Sequence, residues 1–281
     1  MRLVSFLHGD RPACGVVQGD AILVAPTTPY ADLKAVIAAD AVAEFARLCE
    51  GSGQRVPLGG ATLLPLIPNP GKILCVGLNY EDHRRETGRA VVENPTIFTR
   101  FADSQAAHLQ PLLRPRVSTD FDYEGELAVV IGKGGRYIPR DRAFEHVAGY
   151  SCYNDGSVRD WQRHTIQFTP GKNFPQTGAF GPFLVTPDEV PDLDALTLTT
   201  RVNGQVVQQA GLDHMIFDVP RIIEYCSAFT PLSPGDVIAT GTPGGVGAKR
   251  QPPLWLKPGD TVEVEITGIG LLRNGIADEA A

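Results

Sequence analysis

Apolar and polar positions alternate with a period of two through much of this chain, and that pattern predicts strands rather than helices. Residues 1–25 read as two strands joined by a turn near positions 9–11. Residues 31–50 break the pattern, because Leu33, Val36, Ile37, Val42, Phe45 and Leu48 recur near helical spacing. The Pro- and Gly-rich stretch from Pro65 to Gly71 reads as a linker. It predicts a small N-terminal α+β domain over 1–69 and a larger domain over 70–281. In the larger part, strand composition recurs at 73–76, 96–98, 126–131, 183–186, 197–202, 237–239 and 262–266. Asn203-Gly204 predicts a hairpin turn after 197–202. Helices are expected only near 157–164 and 218–226. The expected fold class is therefore a β-rich α+β protein.

Composition adds exclusions. A length of 281 residues suits one large domain with a small appendage, and a net charge of −7 without any basic cluster argues against a nucleic-acid partner. No apolar run is long enough to span a membrane. The apolar start of the chain is interrupted at once by His8, Gly9, Asp10 and Arg11, which does not suit a signal peptide. The five cysteines are scattered without a C-x-x-C pair, as expected of free thiols in a reducing cytoplasm.

The candidate chemistry begins with Glu124 and Glu126, two apart at the mouth of an apolar run. On a strand they share a face, and two like charges so close need a cation or raised pKa values. Mg²⁺, Mn²⁺ or Ca²⁺ would serve, since these ions take oxygen ligands. A solvated strand face is the plain alternative. Asp155 is either a third ligand or the N-cap of the helix expected at 157–164, with Asp155, Arg159 and Gln162 forming a polar stripe on it. His83 and Glu86 would face each other across one helical turn, either as a general base with its orienting carboxylate or as part of a charged surface helix. Lys172, between Gly171 and Asn173, is a solvated loop residue or a cation aimed at a developing enolate. The glycines from Thr240 to Gly247 form a potential anion nest. No serine-hydrolase elbow, zinc motif or Walker loop is present.

Taken in order, these segments resemble the fumarylacetoacetate hydrolase family from about Lys72 to the C-terminus. The matching stretches are Gly77-Leu-Asn-Tyr80-x-x-His83-x-x-Glu86, Tyr123-Glu124-x-Glu126-Leu-Ala, Asn154-Asp155-x-Ser-x-Arg159-Asp-x-Gln162, Gly171-Lys172 followed by Gly181-Pro182, and Thr240-Gly-Thr242-Pro-x-Gly-Val-Gly247. The resemblance implies a C-terminal β-roll or sandwich and a divalent cation, usually Mg²⁺ or Mn²⁺. It implies Glu124, Glu126 and Asp155 as metal ligands and His83, Glu86 and Lys172 as catalytic residues. Arg159, Gln162, Thr242 and Tyr80 would touch substrate. A homodimer acting on a small 2-oxo acid is implied as well. Two positions depart from the family: Pro175 stands where relatives often have Asp, removing a partner for Lys172. Arg100 stands where they often have Lys, with an expected bearing on the distal end of the substrate.

The expected reaction is hydrolysis of a C–C bond in a 2,4-dioxo acid of the acylpyruvate type, through a metal-stabilised pyruvate enolate. Decarboxylation of a β-keto acid, or isomerisation of an unsaturated 2-oxo dioate, would use the same enolate. A metal-stabilised binding protein without catalysis is the reading from another class.

Overall fold

The computed structural model describes residues 1–280. Its centre is an eleven-stranded sheet. Ten strands run in the order Gln54–Pro57, Ala21–Val24, Arg11–Gln18, Arg2–His8, Gly178–Val185, Val147–Asp155, Gly125–Ile131, Val237–Ala239, Ile73–Gly77 and Thr96–Arg100; Gln105–Ala106 joins Gly178–Val185 off this path. A five-stranded sheet contains Gln205–Gly211, Thr197–Val202, Thr261–Ile266, Gly270–Asp278 and Leu112–Arg114. The β-rich α+β class follows the alternation in the sequence.

The strand Gly125–Ile131 explains how the layers stack. It is buried at every position, and its side chains split by parity, as a pleated strand requires. Leu127, Val129 and Ile131 join Leu198, Val264 and Ile266 of the second sheet in one core. Ala128 and Val130 join Leu33, Val36 and Phe45, from the helices Leu33–Ala38 and Val42–Ser52, in another. Both faces are therefore covered. Gly125 lies against the second sheet, where a Cβ would come within 2.1 Å of Thr200 Oγ1. That parity places Glu124 and Glu126 on the opposite face.

Several boundaries move from those expected. Residues 1–25 hold three strands, not two. The single helix expected over 31–50 is two, Leu33–Ala38 and Val42–Ser52, separated near Asp40, which adopts a φ of 52°. The helix expected over 157–164 shrinks to Arg159–Gln162, because Ser157–Val158 pairs with Phe121–Asp122 as a strand. The expected strand 183–186 is the longer Gly178–Val185, and Gly270–Asp278 is a further strand. The sheet runs unbroken across the N-terminal segment, since Arg2 and Leu3 pair with Val185 and Leu184. All five cysteines are unpaired and buried. Among the described residues no helix is long and apolar enough to cross a membrane.

Candidate active site

Strand register assembles the site. Gly125 pairs with Asn154 and Glu126 with Tyr153. One step further, Asp155 N–H donates to Glu124 O at 2.8 Å, which sets Asp155 opposite Glu124 on the same face. Ligand oxygens of Glu124, Glu126 and Asp155 all lie within 4.8 Å of one another, and all three residues are buried. Asp155 therefore ends the strand Val147–Asp155 and is not a helix cap. The expected stripe of Asp155, Arg159 and Gln162 along one helix does not exist, although Arg159 Nη1 still donates to Gln162 Oε1 at 2.9 Å.

Three buried cations meet these carboxylates. Lys172 Nζ lies 2.7 Å from Glu124 Oε2 and 2.6 Å from Asp155 Oδ2, so its charge is held by the acids of the site and needs no partner at position 175. Arg159 Nη2 lies 2.7 Å from Glu124 Oε1, an ion contact whose angle is not that of a hydrogen bond. Its Nε donates to Asp122 Oδ2 at 2.8 Å. Arg100 corrects an expectation: it does not face the distal substrate. It is buried behind Asp155, donating from Nη1 to Asp155 Oδ1 at 2.7 Å and from Nη2 to Thr177 Oγ1 at 2.8 Å. A strand position alone does not say which side of a sheet is solvated, and this one is not.

Electrostatics separates the three carboxylates. Burial would push the Glu124 carboxyl up, but Lys172, Arg159 and His83 outweigh it and hold it well below the usual range. Glu126 goes the other way: burial, then Asp155 and Glu124, push it well up, against Lys172 and the Gly241 N–H. Burial would lower Lys172, yet Asp155 and Glu124 raise it, so it stays charged. Four buried carboxylates, counting Asp122, face three buried cations. If all are ionised, one negative charge is left over. Glu126 is the carboxylate of the three without a cationic side chain upon it; its Oε2 accepts Gly241 N–H at 2.9 Å. An oxygen-only donor set with surplus negative charge fits a hard divalent cation, whose metal–oxygen distances of about 2.0–2.6 Å suit this spacing.

The wall opposite is supplied by the helix Glu81–Thr87 and the glycine-rich loop after Val237–Ala239. His83 is buried, and its Nδ1 donates to Glu86 Oε1 at 2.7 Å. An ionised carboxylate accepts only, so in the neutral ring the proton belongs on Nδ1 and Nε2 is left with its lone pair. Glu86 Oε2 accepts Gly245 N–H at 2.9 Å. Asn79 holds the start of this helix, donating to Thr240 O at 2.7 Å and Phe217 O at 2.9 Å. Gly241, at φ 106°, sits where a Cβ would come within 2.6 Å of Asn79 Cβ. The loop does grip anions, but they are the protein's own.

A cleft of about 580 Å³ brings together His83, Glu124, Glu126, Arg159, Gln162, Lys172 and Thr242. Asp155 and Glu86 stand behind its lining. Tyr80 is not on this cleft. It is the residue preceding the helix, buried, with a hydroxyl that has no partner and a pKa pushed up by burial and by Glu126. Thr242 Oγ1 donates to Gly125 O at 2.9 Å and accepts from Gln208 Nε2 at 2.8 Å. Asp122, Asn79 and Gln208 are contributors without a role in the sequence reading. For Asp122 a signal existed: Asp122, Glu124 and Glu126 form one period-two run.

A buried cluster of three carboxylates that could hold a cation, beside a cleft lined by His83 of a His–Glu pair, has the makings of an enzyme active site. Residues 72–277 match the family described as fumarylacetoacetate (FAA) hydrolase C-terminal. The mitochondrial oxaloacetate tautomerase FAHD2A of Bos taurus is 39% identical over 98% of this chain and 91% of its own. A fumarylacetoacetate hydrolase from Exiguobacterium antarcticum superposes with a TM-score of 0.89 at 34% identity, covering 99% of this chain and 100% of that one. A 5-carboxymethyl-2-hydroxymuconate delta-isomerase from Mycobacterium smegmatis gives 0.80 at 31%, with the same coverage. The chain belongs to the fumarylacetoacetate hydrolase family.

Proposed function

We propose that this protein interconverts the enol and keto forms of a short 2-oxo dicarboxylate such as oxaloacetate, with His83 as the proton carrier and Mg²⁺ or Mn²⁺ on Glu124, Glu126 and Asp155. The observation that carries this reading is the joint presence, on one cleft, of the carboxylate cluster and a His83 whose Nδ1 is committed to Glu86. When bound, the divalent ion supplies Lewis acidity and a template for a 2-oxo carboxylate. The chain's own part is proton transfer. In the enol-to-keto direction His83 Nε2 takes the enol O–H proton and then delivers it to C3, the reverse direction running the same two transfers backwards, and Glu86 steadies the imidazolium that forms between them. Lys172 and Arg159 place positive charge beside the space where the enolate oxygen would develop its negative charge and the substrate carboxylate would carry its own. Among the described residues the only carboxylates lining the cleft are Glu124 and Glu126 at its floor, whereas Arg89, Arg163 and Lys249 are exposed cations lining the same cleft. That asymmetry suits a substrate with a second carboxylate. The tautomerase named among the relatives supports the same choice.

A second reading is hydrolysis of a C–C bond in a longer acylpyruvate. It is favoured by the size of the cleft and by its apolar wall of Val76, Val92, Phe98, Ile166 and Phe168, which has room for an acyl chain. The deciding experiment offers enol-oxaloacetate, an acylpyruvate and an unsaturated 2-oxo dioate side by side with Mg²⁺. Accelerated ketonisation of oxaloacetate is expected. Turnover confined to the acylpyruvate, with release of pyruvate, would replace this reading by the second.

A further inference from the structure

Asp122 touches neither substrate space nor the cluster's ligand oxygens, yet it is saturated with donors. Its Oδ1 accepts the backbone N–H groups of Tyr123 and Gly247, each at 2.8 Å. Its Oδ2 accepts Arg159 Nε at 2.8 Å and Ala248 N–H at 2.9 Å. The side chain is fully buried. A carboxylate offers about four lone-pair sites, so each has a donor, and charge-assisted bonds of this kind are among the stronger ones. Only glycine fits at 247, because a Cβ there would lie 2.6 Å from Asp122 Oδ1 and 2.0 Å from Leu254 O.

The two sides joined by Asp122 do different work. Arg159 lines the cleft and reaches Glu124 and Gln162. The loop carrying Gly247 and Ala248 also donates from Gly241 to Glu126 and from Gly245 to Glu86. We propose that Asp122 is a positioning residue that sets Arg159 and, through the glycine-rich loop, the His83–Glu86 pair, to one common reference. The proposal rests on the roles given to Arg159 and His83 above. An asparagine at 122 has a single acceptor oxygen, so its amide N–H groups must oppose either Arg159 Nε with Ala248 N–H, or Tyr123 N–H with Gly247 N–H; in both orientations the loop loses a bond and Arg159 loses the charge that holds it. Substrate anchoring and dyad orientation should then fail together.

The test compares Asp122→Asn with Gly247→Ala, whose added Cβ strikes Asp122 Oδ1 and Leu254 O and so forces the loop off Asp122 from the other side. Two readouts need no turnover: the imidazole ¹⁵N chemical shifts of His83, and oxalate binding in Mg²⁺ by calorimetry. Asp122→Asn is expected to move the His83 signals and to weaken oxalate about tenfold, the size of one lost buried hydrogen bond. Gly247→Ala is expected to move the His83 signals as well, since the loop that holds Glu86 is displaced. Unmoved His83 signals in both variants overturn the coupling, as does unchanged oxalate affinity in Asp122→Asn. Should Asp122→Asn not fold, a folded Gly247→Ala with wild-type His83 signals overturns it alone. Failure of the wild type to ketonise oxaloacetate would remove the proposed reaction and leave both readouts standing.

Discussion

The floor of the cleft and its wall are built on opposite principles. Glu124, Glu126 and Asp155 come from two neighbouring central strands with both faces covered, and their oxygens are met by buried cations and a backbone N–H. His83 and Glu86 ride on Glu81–Thr87, a seven-residue helix. A helix that short is marginal without tertiary contacts, and its outward residues Asp82 and Arg85 are exposed. It is held mainly at its start by Asn79 and at Glu86 by Gly245. The carboxylate cluster is therefore fixed by the sheet, and the His83–Glu86 pair is docked onto it. Changes to the floor should alter cation binding and stability. Changes to the wall should alter rate.

The sharpest way to break that division is Glu126→Ala. Glu126 has no cationic side chain upon it, so the cation loses its least committed ligand. Mn²⁺ binding should vanish from calorimetric titrations and turnover should fall to the metal-free level; retained tight binding would show that the floor is wrongly drawn. His83→Ala tests the wall. The rate should drop by about 10²–10⁴-fold, the usual size of a general acid–base contribution, with Mn²⁺ affinity unchanged. A matching loss of Mn²⁺ affinity would mean that the two regions are not separable.

Lys172→Met acts on the floor through stability. It leaves Glu124 and Asp155 with one buried cation fewer, and breaking such a pair costs on the order of 3–5 kcal/mol. Mg²⁺ should then stabilise the variant more than the wild type, since the ion replaces the missing charge; equal Mg²⁺-induced shifts in thermal unfolding would contradict this. Acidity sharpens the same point. The Glu126 carboxyl is raised in the folded state from its ordinary 4.5. Its contribution to the metal-free protein is fully present below that value and is lost as the pH rises through the folded one. Glu124 is lowered, so its contribution is present above 4.5 and lost in acid. Metal-free protein should thus lose the Glu126 contribution as the pH rises above 4.5, and Mg²⁺ should stabilise more as it does so. A Mg²⁺ shift in unfolding temperature that is the same at pH 5 and pH 8 would rule this out.

How much of this was legible in the sequence follows from range. Glu124 and Glu126 were legible because a spacing of two on an apolar strand is a local signal. Asp155 stayed ambiguous between ligand and cap, since only its register against Glu124, thirty-one positions away, decides. Arg100 was misread for the same reason: its face is set by the pairing of Thr96–Arg100 with Ile73–Gly77 and by the closeness of Gly178, where a Cβ would strike its guanidinium at 2.6 Å. The glycines of 240–247 correctly signalled an anion nest. That the anions are Glu126, Glu86 and Asp122 depends on contacts more than a hundred residues apart in sequence.

The mildest test lies at the cleft mouth, where the floor's logic should no longer hold. Arg89, Arg163 and Lys249 come from three separate segments, after the dyad helix, after Arg159–Gln162 and within Gly247–Lys249, and each is exposed. An exposed cation attracts a carboxylate through high-dielectric water and gains roughly 0.2–1 kcal/mol, a factor of about 1.4–5 in affinity. Single replacement of Lys249 or Arg163 by Ala should therefore raise the KM for oxaloacetate by a factor of about 1.4–5 and leave kcat alone. The effect should shrink with added salt, because charges separated by more than a Debye length of about 8 Å at physiological ionic strength are screened. A 2-oxo monocarboxylate of the same length should not notice the change. If it responds equally, the mouth is not reading a second carboxylate, and the cations there serve only the general attraction of anions to the cleft. Buried Lys172 and Arg159 should show little of this salt dependence, which is what distinguishes a cation that holds the site together from one that merely faces it.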